Sequence, residues 1–338
     1  MWRDFGIYGK KRTQSLSKLP VLLLTLFAGV SCWIFQYYCA GDPLEPVSAT
    51  PLWHWMSGLL TDRRSVYLAG MILLFASAGL LQRANYYLLI IREKTKLPFL
   101  LFFLLNSANF GFVPLRPVSV AVFFVLLCMV ELFKSCQDGK TEMTQGNAYK
   151  AMFCLGVGSL IWVQLFWMIP LFWYGMYQFR LLNVRTFAVS ILGMITVYWL
   201  LGGWCAWKHD LSALTDVFRS ASAINIPSLR ELLSAERLIT PASAFILTVI
   251  VDISLRFHKA NAGLRTRRFI SFLLTSMKYL LPFLFLFETL ETDFLCLFYL
   301  PASFLTAYVF SNTFGKAAPL YYGLLLVVSV VLLAVRYV

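Results

Sequence analysis

Charge is what this chain has least of. Only 13% of its 338 residues are Asp, Glu, Lys or Arg, while 59% are apolar. Soluble domains carry about a quarter of their residues as charges, so this chain cannot cover a water-facing surface. A disordered, collagen-like or disulfide-built protein would need another composition again. Histidine is scarcer still. His54, His209 and His258 fall in three separate loops, which leaves no all-histidine iron centre with four ligands and no histidine-iron oxygenase chemistry. There is no His-Glu-x-x-His zinc motif and no Walker lysine motif. The seven cysteines, at 32, 39, 128, 136, 154, 205 and 296, include no Cys-x-x-Cys pair and read as small packing residues. Gly156-Val157-Gly158 lacks the third glycine of a dinucleotide fingerprint. Together with Cys154 it reads as a small-residue stripe that lets helices approach. No cofactor and no metal centre is implied.

What the chain has instead is apolar runs. A bilayer crossing takes about 20 apolar residues as a helix. Expected spans are Leu19 to Tyr38, Val66 to Ile91, Pro98 to Phe112, Val118 to Phe133, Thr186 to Trp207, Pro241 to Phe257, Phe269 to Phe287, Phe294 to Ser311 and Pro319 to Val335. The stretch from Ala151 to Phe179 is long for one helix and short for two. Read as two short or partly re-entrant helices, about 148 to 163 and 165 to 179, it puts the cluster Arg256, Lys259, Arg265, Arg267 and Arg268 on the same side as the N-terminal Arg3, Lys10, Lys11, Arg12 and Lys18. Short cytoplasmic loops collect Lys and Arg, so two crossings are preferred to one.

The expected fold class is therefore all-α: a polytopic transmembrane bundle of about eleven spans, between ten and twelve, forming one integral membrane domain over residues 1–338. Residues 1–18 form a cytoplasmic tail, and 39–65 and 208–240 are the main outer loops. On this topology the inner segments carry 19 Lys plus Arg and 4 Asp plus Glu, and the outer segments 8 and 10. The net charge of +13 is thus mostly orientation. Spread over short loops it fits a lipid bilayer as partner and not nucleic acid. Leu52, Trp53, Trp55, Met56, Leu59 and Leu60 have the spacing of a short interfacial helix on the outer face, and Asp210 to Leu233 suggests a second.

Ionisable residues within expected spans carry the most chemical information, because each costs a few kcal/mol unless paired or hydrated. There are four: Arg83, Glu131, Asp252 and Lys278. Arg83 lies close enough to a helix end to snorkel, and Glu131 to meet Lys134. Asp252 stands one turn before Arg256, and a cross-helix pair with Lys278 is the natural expectation. A second constellation is the hairpin Asn106 to Pro117. Asn106 and Asn109 would lie below the outer surface unless the helix breaks early, and Arg116 would face an anionic group such as a phosphate.

The run from Asn147 to Leu200, with the segment LPFLLFFLLNSANFGFVPLRPVSVAVFFVLL before it, resembles an uncharacterised family of bacterial multi-pass inner-membrane proteins. That resemblance implies the bacterial inner membrane but no activity. More distantly, the organisation is similar to that of membrane glycosyltransferases and polymerases that use polyprenyl-phosphate-linked sugars in cell-envelope glycan assembly. Such enzymes place an acidic residue just after the first helix. Here the resemblance implies Asp42 or Glu45 as a catalytic carboxylate, acting as a base on an acceptor hydroxyl, and Arg116 as the ligand of the lipid phosphate. The loop departs from the pattern in having no Asp-Asp or Asp-Glu dipeptide. The alternative is a non-catalytic assembly partner or transporter-like component, for which Asp252 and Lys278 would matter more than the outer loop.

Overall fold

The computed structural model describes residues 19–39, 50–60, 62–91, 95–109, 111–138, 141–208, 215, 217, 235–258, 263–287, 291–312 and 323. Within them are eleven α-helices: α1 (Leu19–Cys39), α2 (Pro51–Leu59), α3 (Arg63–Leu88), α4 (Leu97–Ser107), α5 (Pro117–Asp138), α6 (Thr141–Ile161), α7 (Ile169–Gln178), α8 (Val184–Trp207), α9 (Ala235–His258), α10 (Leu264–Leu286) and α11 (Glu291–Asn312). A six-residue 3-10 helix, Val163–Met168, leads into α7. No strand is present among the described residues.

Local chemistry sets the helix boundaries. Pro51 and Pro98 occupy first turns, where the missing N–H costs nothing. The Asn183 side chain caps α8 by accepting from Thr186 N. The Asn85 carbonyl receives Leu89 N as α3 closes, with Leu89 in the left-handed region at φ 48°.

Seven of these helices, α1, α3, α5, α8, α9, α10 and α11, are long and apolar enough to cross a membrane. The chain thus has the architecture of a multi-pass membrane protein. Four departures separate these seven from the eleven crossings expected. The first half of the ambiguous stretch is α6, Thr141–Ile161, which is not among the seven. The expected span Pro98 to Phe112 is an eleven-residue helix that stops at Ser107, about 16 Å long against a hydrocarbon core of about 30 Å. The second half of the ambiguous stretch is the 3-10 turn followed by only ten α-helical residues. The last expected span, Pro319 to Val335, lies outside the described residues apart from Gly323.

The path of the chain is nonetheless regular. Thr50 Oγ1 donates to the Ile161 carbonyl, so α6 finishes beside the start of α2. Phe179, past the end of α7, packs against Phe133 and Phe269 at the opposite end. Residues 141–179 therefore run to one end of the bundle and return. That end is named below by Arg63 and the other by Arg256. α11 lies at the centre with nearly its whole length buried, as a helix apolar on all sides must. α4 is enclosed by α1, α3 and α11. The more exposed α1, α8 and α9 stand outside. Where α6 and α8 cross, a Cβ on Gly193 would come within 2.6 Å of the Tyr149 carbonyl, so glycine sets the closeness of that contact.

Candidate functional site

One group of buried polar residues, among them Gln36, Asn106, Ser107 and Asn109, lies near the Arg63 end, where α4 breaks. Residues 108–109 and 111–116 belong to the connection from α4 to α5, which is pinned on two sides. Leu115 N donates to the Val66 carbonyl of α3 at 3.3 Å. Asn109 Nδ2 reaches the Thr292 carbonyl at 3.2 Å and Cys296 Sγ at 3.1 Å, both on α11. Gly111 is required here, because a Cβ would lie 2.6 Å from the Thr292 carbonyl oxygen. α4 thus ends at Ser107, short of the span expected to Phe112. Its exposed backbone is met by protein, which is the condition for irregular chain at membrane depth.

Arg116 emerges from this connection and lies 3.6 Å from Asp293 in the first turn of α11, with both side chains about 15% exposed. Arg116, expected to face an anionic group such as a phosphate, thus has a carboxylate beside it. Glu291, also buried, stands two residues before Asp293 on the same helix. A second arginine, not singled out in the sequence, completes the group. Arg63 opens α3 and donates through Nη2 to the Tyr37 carbonyl at 2.6 Å. Its guanidinium packs over the rings of Tyr37 at 5.2 Å and Tyr67 at 5.9 Å. Tyr67 donates to the Gln36 carbonyl and feels the charge of both arginines. Below it, Gln36 Nε2 donates to the Ser107 carbonyl, and Asn106 Nδ2 to that of Phe102. The side-chain oxygens of Gln36 and Asn106 are buried and accept no hydrogen bond among the described residues.

The sequence held a signal for Arg63, namely the i to i+4 spacing to Tyr67 beside a basic pair, Arg63-Arg64. Asp293 had none. It meets Arg116 only because α4 is too short to cross and α11 fills the space beyond it. α2 lies over this end, with Trp53 buried against Leu115, Val120 and Ile161 and Trp55 exposed. The predicted helix at 51–59 is thus present, while the second one, within 208–240, falls mostly outside the described residues. So do Asp42 and Glu45.

Of the four intramembrane candidates, Asp252 and Lys278 form the cross-helix pair expected of them, and Arg83 and Glu131 find partners on their own helices. Arg83 turns along its own helix to Tyr87, with Nη2 3.4 Å from the hydroxyl and the guanidinium over the ring at 5.5 Å. Glu131 pairs with Lys134 at 2.5 Å. Asp252 pairs both with Arg256, at 3.3 Å, and with Lys278, at 3.0 Å. None of these lines an interior route among the described residues. Two interior cavities, one beside Met129 and Phe172 and one beside Leu88 and Phe304, are apolar, hold about 20 and 10 Å³, and so suit at most a single water. No group of three His, Cys, Asp or Glu side chains comes together among the described residues.

Comparison with protein families, with curated proteins and with solved structures finds no match to this chain.

Proposed function

We propose that this is a bacterial inner-membrane protein, N-terminus in the cytoplasm, whose Arg63 end faces outward and takes a polyprenyl-phosphate-linked sugar for transfer or polymerisation in cell-envelope glycan assembly. The observation that carries the reading is the pair Arg63 and Arg116, on different elements, beside Tyr67 and over a floor of buried amides. Guanidiniums suit a phosphate's paired oxygens better than ammonium groups do. Buried amide oxygens suit donors such as sugar hydroxyls, because leaving them unmet costs about 1–3 kcal/mol each.

The catalytic part of the reading belongs to Asp42 or Glu45. Both stand in the connection from Cys39 to Thr50, whose two ends are fixed at this end of the bundle through Tyr37 and Ile161. Asp42 lies three residues past Cys39 and so is tethered within about 11 Å of it. In the proposed step a carboxylate accepts the proton of the acceptor hydroxyl. The acceptor oxygen bonds to the anomeric carbon as the bond from that carbon to the phosphate oxygen breaks. The lipid phosphate leaves with the electron pair, its charge offset by the arginines. An incoming phosphate would then share Arg116 with Asp293. The transporter-like alternative receives no support from the ion pairs of Asp252 and Lys278, which lie on the bundle's exterior.

The test is turnover of a radiolabelled polyprenyl-phosphate sugar by the purified full chain. Asp42→Asn or Glu45→Gln is expected to abolish turnover at unchanged protein level. Arg63→Gln is expected to raise KM about tenfold, the loss of one charge-assisted contact. Full activity in both carboxylate variants would remove the catalytic assignment, and unchanged KM in Arg63→Gln would remove the site.

A further inference from the structure

At the other end of the molecule, one face of α9 and α10 combines charge with an apolar surface. Asp252 uses a single oxygen, Oδ2, to hold Lys278 of α10 at 3.0 Å and Arg256, one turn along α9, at 3.3 Å. The carboxylate is 19% exposed, but Lys278 is 50% and Arg256 76% exposed. Phe245 and Val249 stand seven and three residues before Asp252, on the same helical face, and both are exposed. That is the composition of a surface turned to hydrocarbon.

Depth follows from helix geometry. Lys278 is ten residues beyond Arg268, about 15 Å at 1.5 Å per residue, which places its Cα near mid-bilayer. Side chains on a helix lean toward its N-terminus, here the Arg256 end, so the amine reaches back to Asp252. Arg256 lies a further 6 Å or so toward the surface. The three groups form a ladder that climbs from hydrocarbon to head-group level along the outside of the bundle.

Its charge does not close. Two cations share one carboxylate, leaving the ladder net positive. A second copy docked through this face by a two-fold axis would set like charge against like. A neutral lipid would leave the surplus cation unmatched. An anionic phospholipid satisfies both parts of the surface, with its acyl chains along Phe245 and Val249 and its phosphate at Arg256. We infer that the Lys278, Asp252 and Arg256 ladder is a binding site for the head-group phosphate of an anionic phospholipid. Lys278 takes up much of the Asp252 charge, which leaves the more exposed Arg256 to the phosphate. The site lies at the opposite end from Arg63 and is independent of the sugar-transfer reading.

Native mass spectrometry of the full chain in detergent tests this with two probes, phosphatidylglycerol and phosphatidylcholine of identical acyl chains. The native chain is expected to retain phosphatidylglycerol preferentially. Arg256→Gln, at a surface position where folding is not at stake, is expected to weaken that retention about fivefold, the effect of one basic residue near an anionic head group. Phosphatidylcholine should be unaffected, and Arg256→Lys should keep most of the preference. Asp252→Asn, which removes the competing carboxylate, is expected to strengthen it. Equal retention of the two lipids by the native chain would overturn the proposal, as would undiminished phosphatidylglycerol in Arg256→Gln. So would a cross-linked dimer or foreign polypeptide captured through Ile253→Cys with no lipid retained.

Discussion

Arg116 and Asp293 show what a charge costs inside this bundle. Removing one member of a buried pair leaves the other uncompensated, at about 3–5 kcal/mol, whereas removing both costs far less. With each side chain about 15% exposed, the lower figure applies. Arg116→Met alone is expected to lower stability by about 3 kcal/mol, and Asp293→Asn in that background to restore at least half of the loss. Thermal unfolding of the four forms in detergent gives the coupling, and simple additivity would show that the two charges act independently. Arg83 presents the opposite situation. It solves its problem locally, against Tyr87 on its own helix, as a long side chain near a helix end can. That solution was legible in the sequence because both partners lie within one turn, and the pairs of Glu131 with Lys134 and of Asp252 with Arg256 were legible for the same reason. The partner of Arg116 was not, because nothing local points from the connection after α4 to the first turn of the last described helix.

Helices were the most legible level, because hydrocarbon imposes one length and one composition on anything that crosses it. α1, α3, α8 and α10 begin and end within a few residues of the apolar runs that announced them. α4 escaped the rule for a physical reason: protein, not lipid, surrounds it. Almost every residue of α4 is buried, so it is free to be short. Packing between elements is set by residues that hydropathy ignores. Gly193→Ala is expected to push α6 from α8 and cost about 1–3 kcal/mol, since the obstacle is the Tyr149 backbone, which cannot rotate away. Gly203→Ala, on the same helix with open space around it, is expected to be neutral or slightly stabilising. Melting temperatures of the two variants decide this, and equal shifts would mean that the crossing is not limited by contact at Gly193.

For the whole molecule, the two ends differ in charge as well as in contents. Arg180, Arg185, Arg265, Arg267 and Arg268 belong to the Arg256 end with Arg256 itself, whereas at the Arg63 end Arg63, Arg64 and Arg116 stand with Asp62, Glu291 and Asp293. By the positive-inside tendency the Arg256 end is the one expected in the cytoplasm. Ser57→Cys on α2 is expected to react with an impermeant maleimide in intact cells, and Arg265→Cys only after permeabilisation. Labelling of both from the same side would break the topology, and labelling in the reverse order would invert it.

The short helix α4 has a consequence for biosynthesis. Asn109 finds its acceptors at Thr292 and Cys296, which lie 183 and 187 positions later in the chain. At about 5–20 residues per second, the ribosome needs roughly 10–40 s to deliver them. Through that interval the segment is a half-length helix with an uncovered polar end, a poor candidate for release into lipid. The insertion machinery, or a chaperone within the membrane, must shelter it until α11 arrives. The last described helix to be translated is thus also the one that makes the earlier segment fit to remain in the bilayer.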